Sequence, residues 1–324
     1  MKKFNFLAIG AAALLLASCS QEEAPKMEAN NSTYSVKVQL PADIATRAFS
    51  DGYTATQLTV AVYDAATNNY VTTVNAEFPA NQLETVVNFE LAYNKSYKMF
   101  FFAQSPESAE VYTINTTDAI LNVDYTKMTS DGNLKDAYDC FYRLETTPVI
   151  TPTVESSTIY LTRLVCQVNW GTDDLMKDAI ANEDAFGTNG QYIRTTFNGQ
   201  AYTQWQMLNE AVVDASLTNV TFTNFAAPAF INEEFPVEGY DYVAMQYLLT
   251  TKNQSSTFNA TLDINNGGNP NGAAIMDNYS VEVSSVPVQQ NFRTNIFGGL
   301  LTSDYKVTVE KWPYYWQPDY DVEY

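Results

Sequence analysis

Apolar residues recur at every second position over short runs along this chain, and that pattern dictates β-sheet. Tyr34, Val36, Val38 and Leu40 are separated by single polar residues, and Leu58, Val60 and Val62 keep the same spacing. Successive side chains on a strand point to opposite faces, so a period of two buries one face and wets the other. Further runs of strand character are residues 85–91, 97–103, 137–144, 157–170, 219–225, 240–250, 257–264, 279–288 and 305–311. Polar turn clusters separate them, such as Asp131-Gly132-Asn133 and the stretch from Asn265 to Gly272. Helical patterning is sparse, confined to residues 173–183 and 204–213. Many short strands with polar turns predict an all-β chain of the β-sandwich kind.

Length divides that fold. The 324 residues, 46% of them hydrophobic, suffice for two cores in tandem. The composition shifts at Trp170-Gly171, which predicts one sandwich over residues 48–170 and a second over 171–311.

Charge and composition remove whole classes of function. With 17 Lys+Arg against 37 Asp+Glu, the net charge of −20 argues against nucleic acid as a partner. The chain has no histidine, so Ser-His-Asp and Cys-His nucleophile systems are unavailable. Carboxylates are plentiful, but no two of them are singled out as an acid–base pair. Asp131-Gly132-Asn133 and Asp319-Tyr320-Asp321 lack the repeated oxygen ligands and fixed glycine of a calcium loop. Gly298-Gly299 has no phosphate-loop context and reads as a turn or bulge. No catalytic activity, cofactor or metal is expected.

The first nineteen residues read as an address. Lys2 and Lys3 precede an apolar run from Phe6 to Leu16 that is too short to span a bilayer stably. It ends in Leu16-Ala17-Ser18-Cys19, the pattern of a bacterial lipobox, which predicts a signal peptide over residues 1–19 and lipidation of Cys19. Acyl chains on Cys19 would hold the precursor to a membrane, each buried methylene contributing about 0.8 kcal/mol. Ser20-Gln21-Glu22-Glu23 resembles the acidic surface-export signal of some Gram-negative lipoproteins, and residues 20–47 combine a polar tether with the first strand. The two other cysteines, Cys140 and Cys166, either pair as a disulfide or stand as buried thiols. The apolar setting Leu164-Val165-Cys166-Gln167-Val168 favours the second reading.

Two segments rise above this background. Of the five arginines, only Arg47 falls in an obvious connector, between small residues that would let a trypsin-like protease bind it extended and cut before Ala48. At the C-terminus, Trp312, Tyr314, Trp316, Pro318, Tyr320, Val322 and Tyr324 occupy alternate positions, while Asp319, Asp321 and Glu323 lie between them. Residues 312–324 therefore read as an extended tail with one bulky and one acidic face. Its prolines restrict it to an edge or inserted strand.

These features together resemble the fimbrillin family of Gram-negative lipoprotein pilins. The resemblance rests on the lipobox at Cys19, the strand followed by Arg47-Ala48, and the stretch from Val286-Pro287-Val288 through Asn291-Phe292-Arg293-Thr294-Asn295-Ile296 to Thr302. It implies two transthyretin-like β-sandwiches, export to the outer membrane on a palmitate-bearing lipid anchor, and cleavage by a trypsin-like maturation protease between Arg47 and Ala48. It further implies that Tyr34, Val36, Val38 and Leu40 fill a groove until cleavage. A donor strand presenting Trp312, Tyr314, Trp316, Tyr320, Val322 and Tyr324 would then replace them, building a cell-surface fimbrium from copies of this chain and related fimbrial subunits and supporting adhesion. A non-polymerising anchor or tip subunit fits the same resemblance. From another class, a surface glycan-binding lipoprotein would use Trp312, Tyr314, Tyr315 and Trp316 to stack on sugar rings.

Overall fold

The computed structural model describes residues 31–41, 52–128, 136–152, 155–173, 191–224, 235, 237–252, 256–266, 279–300 and 307–312. Twenty strands lie among them. The first ten are β1 (Asn31–Gln39), β2 (Gln57–Asp64), β3 (Tyr70–Glu77), β4 (Glu84–Ala92), β5 (Tyr97–Gln104), β6 (Tyr112–Asn115), β7 (Ile120–Val123), β8 (Cys140–Thr146), β9 (Glu155–Tyr160) and β10 (Thr162–Arg163). Then come β11 (Val165–Asp173), β12 (Gln191–Tyr202), β13 (Gln204–Gln206), β14 (Ala211–Val212), β15 (Leu217–Asn224), β16 (Tyr240–Leu249), β17 (Ser256–Asn266), β18 (Tyr279–Val288), β19 (Arg293–Gly298) and β20 (Val307–Trp312). Helix among the described residues is limited to four 3₁₀ turns of three residues each. The chain is all-β.

Five sheets assemble these strands. The sheet β4-β1-β9 lies over the sheet β10-β8-β5-β2-β3, with an apolar core between them built from Val36, Val38, Val60, Phe89, Phe101 and their neighbours. β5 is buried on both sides from Met99 to Ala103, which is why that stretch is an unbroken apolar run rather than an alternating one. Met99 and Phe101 face that first core, while Phe100 and Phe102 face a second, larger one. A small sheet, β14-β13-β7-β6, closes over this other side, setting Tyr112 edge-on to Phe102 and Trp205 edge-on to Tyr142. It joins the two halves of the chain, since β13 pairs with β7. The sheets β16-β11-β19-β20 and β15-β12-β17-β18 form the second sandwich, where Trp170 meets Phe197 across the core.

Three sequence expectations change in the structure. Residues 157–170 are not one strand but three, β9, β10 and β11, each in a different sheet. The corners are Leu161 and Leu164, both fully buried, whose amides donate to Gln39 O at 2.8 Å and Cys140 O at 3.0 Å. Apolar alternation continues through both corners because each partner sheet offers a core, so the pattern hides the change of sheet. Residues 204–213 form the hairpin β13–β14 rather than a helix. Trp205 and Met207, two apart, are both fully buried, and Glu210 takes φ of +51° in the turn. Strand β12 is additional to the sequence reading, and it runs through Asn198-Gly199. The structure absorbs that dipeptide as a bulge, with Gly199 at φ +69° and the pairing to β15 shifting between Phe197 and Ala201. β3, β6, β7 and β19 are likewise additional to the sequence reading.

The other helical expectation, residues 173–183, falls largely outside the described residues; Asp173 itself closes β11. β11 runs continuously through Trp170-Gly171 and pairs with β16 and β19, so the chain enters the second sandwich at Val165. Cys140 and Cys166 form no disulfide and are buried in the same core.

Candidate functional site

The strand that the sequence singles out first is the middle strand of its sheet. β1 pairs antiparallel with β4, Tyr34 opposite Phe89 and Val36 opposite Val87, and parallel with β9, Val36 opposite Ser157 and Val38 opposite Ile159. Its burial alternates without a break from Asn31 to Gln39, as the period of two requires. Tyr34, Val36, Val38 and Leu40 point inward and are at most 6% exposed. They fill a trough whose floor includes Met99 and Phe101 of β5 and whose walls include Phe89 of β4 and Ile159 of β9. The Phe89 and Phe101 rings meet edge to face at 6.4 Å. The Tyr34 hydroxyl, at the wetter end, donates to Ser157 Oγ at 3.0 Å. Beside it a cleft of about 210 Å³ opens between the sheets, lined by Tyr34, Val36, Met99, Phe101 and Thr147 among others.

Burying these four side chains contributes about 1.5–3 kcal/mol each, roughly 6–12 kcal/mol together. That rivals the whole stability of a typical domain, about 5–15 kcal/mol. Removing β1 would also leave β4 and β9 each with an unpaired edge, which is an association site unless something covers it.

The outward face of β1 is as well matched as the inward one, and sequence reasoning passed it over. Thr33 Oγ1 donates to Glu90 Oε1 at 2.8 Å and Ser35 Oγ to Asn88 Oδ1 at 2.6 Å. Gln39 Nε2 donates to Glu84 Oε2 at 2.9 Å, and Lys37 Nζ reaches the same oxygen at 2.7 Å. The Lys37 ammonium, then the Gln39 amide, hold the Glu84 carboxyl below the usual carboxylate range. The signal was the other half of the same alternation: its polar positions.

The connector carrying Arg47 leaves and returns at one spot. Leu40 N donates to Leu83 O at 2.8 Å, and Gly52, at φ +79°, sits so that a Cβ on it would lie 3.4 Å from Pro41 O. Residues 42–51 thus link two points that touch. Arg47 and Ala48 lie outside the described residues, as does Cys19. The four other arginines, Arg143, Arg163, Arg194 and Arg293, all fall within strands, in β8, β10, β12 and β19.

At the other end, Trp312 closes β20, which pairs antiparallel with β19. Tyr314, Trp316, Tyr320, Val322 and Tyr324 lie outside the described residues. The segment flanking Arg293 has a structural role. Arg293 Nε donates to Gln167 Oε1 at 2.8 Å, and Asn169 Nδ2 donates to Asn295 Oδ1 at 2.9 Å. Gln167 Nε2 donates to the Tyr247 hydroxyl at 3.0 Å, which in turn donates to Asp136 Oδ1 at 2.8 Å. Gln167, Asn169, Arg293 and Asn295 are sealed from water. They fix the parallel register of β19 on β11, Gln167 opposite Arg293 and Asn169 opposite Asn295.

Residues 25–324 match a family of unknown function, DUF6562, and the chain belongs to that family. No curated protein matches the sequence. Among solved structures, the chain is similar to a candidate adhesin from Bacteroides thetaiotaomicron, 11% identical over 87% of this chain and 97% of that one, with a TM-score of 0.51. It is also similar to a candidate cell adhesion protein from Bacteroides ovatus, 11% identical over 87% and 98% of the two chains with a TM-score of 0.48. A third is the tip fimbrial protein Mfa3 from Porphyromonas gingivalis with C-terminal truncation, 11% identical over 87% and 99% with a TM-score of 0.45. The first of these likenesses is one of fold.

Proposed function

We propose that this DUF6562 protein is a structural subunit of a surface fimbrium, exported as a lipoprotein on Cys19 and activated by removal of its first strand. The observation that carries the reading is the position of β1: a central strand, filling a trough from end to end, followed directly by a connector that contains Arg47. An N-terminal strand in the middle of a sheet is an unusual place for a piece the chain could lose, unless its loss prepares the sheet for a partner.

Cleavage between Arg47 and Ala48 severs β1 from the rest of the chain without touching the strands around it. The cut strand stays until it is displaced, because its burial and two hydrogen-bonded edges hold it. A strand from another subunit then takes its place by β-augmentation, with main-chain hydrogen bonds for affinity and alternate side chains for specificity. Such a contact is head-to-tail and grows an open filament. The net charge of −20 keeps the subunits apart before assembly. The fold it shares with a candidate adhesin supports a place at the cell surface and a role in adhesion rather than in catalysis.

The test is to treat the purified protein with an arginine-specific protease and follow its size and its N-terminus. With related fimbrial subunits supplied as strand donors, assembly into ladders that resist mild detergent, with subunits beginning at Ala48, is the expected result. Assembled subunits that begin at Cys19, or cut subunits that never associate with any strand, would sink the proposal. For the anchor, Cys19→Ala should move the protein out of the outer-membrane fraction.

A further inference from the structure

From Thr33 to Gln39, the outward-face side-chain contacts of β1 with β4 run in one direction. Thr33, Ser35, Lys37 and Gln39 donate; Glu90, Asn88 and Glu84 accept. Two of the three acceptors are carboxylates. On the other flank, Ser156, Thr158 and Tyr160 of β9 are opposite Ser35, Lys37 and Gln39 and carry no charge. The trough therefore judges an incoming strand twice, by size on the inward side and by charge along β4.

The tail of this same chain meets the first demand and fails the second. With its bulky residues turned inward, its alternate residues would face β4. Consider any register that seats four of the bulky positions beyond Trp312 where Tyr34, Val36, Val38 and Leu40 now lie. Each such register, in either strand direction, puts Asp319 on the face toward β4, and most add Asp321 or Glu323. These carboxylates have no proton to give Glu84, Asn88 or Glu90, and like charges opposed across a strand pair repel.

We propose that the trough vacated by β1 is selective for a segment of a different protein, apolar at alternate positions and carrying Lys, Arg or neutral donors between them, and that it discriminates against the tail of a second copy of this chain. This rests on the reading that β1 is removed and replaced. Glu84 and Glu90 are the specificity-determining residues. The chain then enters a fimbrium next to a different subunit rather than as a run of identical ones.

The experiment uses the whole protein after cleavage at Arg47, with a fluorescent peptide of residues 31–41 seated in the trough. Three unlabelled peptides compete: residues 31–41, residues 313–324, and residues 313–324 carrying Asp319→Lys, Asp321→Lys and Glu323→Lys. The lysine peptide should compete about tenfold better than the native tail at low salt, as expected for two or three reversed cross-strand pairs. Raising the salt should shrink that gap, and Glu84→Gln with Glu90→Gln in the receptor should nearly close it. Equal competition by the two tail peptides overturns the selectivity while leaving strand replacement intact. A gap indifferent to salt and to the two glutamine substitutions overturns it as well. If not even the 31–41 peptide exchanges, strand replacement itself is wrong and the selectivity falls with it.

Discussion

Arg163 Nε lies 2.8 Å from Asp139 Oδ2, and both side chains are shut off from water, at 1% and 0% exposure. The guanidinium also sits over the Phe141 ring, 5.0 Å from its centroid, and the Arg163 carbonyl accepts from Gln290 Nε2 at 3.1 Å. Arg163 stands between the two corner leucines, so this pair closes the joint where the chain passes from the first sandwich to the second. Asp139→Ala should lower stability by about 3–5 kcal/mol, because it removes the carboxylate from beside a buried cation. Replacing both, Asp139→Leu with Arg163→Met, should recover most of that loss. Urea unfolding of the two singles and the double reads the coupling directly.

Val38 is fully buried in the trough. Val38→Ala should cost the uncut protein about 2 kcal/mol. In the cut protein the same change should speed loss of the first strand by about thirtyfold, if the whole cost falls on dissociation. Thr33→Ala, which removes one solvent-facing hydrogen bond, should change either quantity little. A labelled first strand followed by fluorescence polarisation distinguishes the two.

Gly171 lies where the pairing of β11 with β16 shifts by a residue, and a Cβ there would fall 2.6 Å from a Phe235 ring carbon. Phe235 belongs to a satellite cluster with Tyr242 and Phe297 on the outer face of that sheet. Gly171→Ala should therefore destabilise by roughly 1–3 kcal/mol through overpacking. Adding Phe235→Leu should relieve part of the clash, so that the double variant is more stable than the sum of the singles predicts. Thermal or urea midpoints of all four proteins settle it.

Burial pushes the Cys140 thiol well above its ordinary range, and Cys166 is equally closed to solvent. In protein beginning at Ala48, neither should react with a chromogenic thiol reagent at pH 8 while the fold is intact, and both should react once it is unfolded. A thiol that reacts at once in the native protein would place one of them at a surface.

The trough-filling residues were legible in the sequence because their signal is local. Tyr34, Val36, Val38 and Leu40 declare an inward face by spacing alone, and the same spacing marks Thr33, Ser35, Lys37 and Gln39 as the outward one. That these outward residues meet donors' partners on β4 was not legible, because Glu84 and Glu90 belong to a strand some fifty positions away whose register is set by packing. The motif around Arg293 and Asn295 stood out as a resemblance, yet its work, holding β19 on β11 through Gln167 and Asn169, appears only when the two strands are side by side.

The sequence by itself determined that this chain is all-β and which face of its first strand is apolar, since strand periodicity depends only on neighbours two residues apart. Tertiary structure decided the rest. It placed β1 between β4 and β9, broke residues 157–170 into three strands in three sheets, and turned 204–213 into a hairpin that ties the halves together. The physical reason is the same in each case. Alternation states that a residue is buried but not against what, and the choice of partner is made by hydrogen-bonded edges and cores assembled from distant parts of the chain.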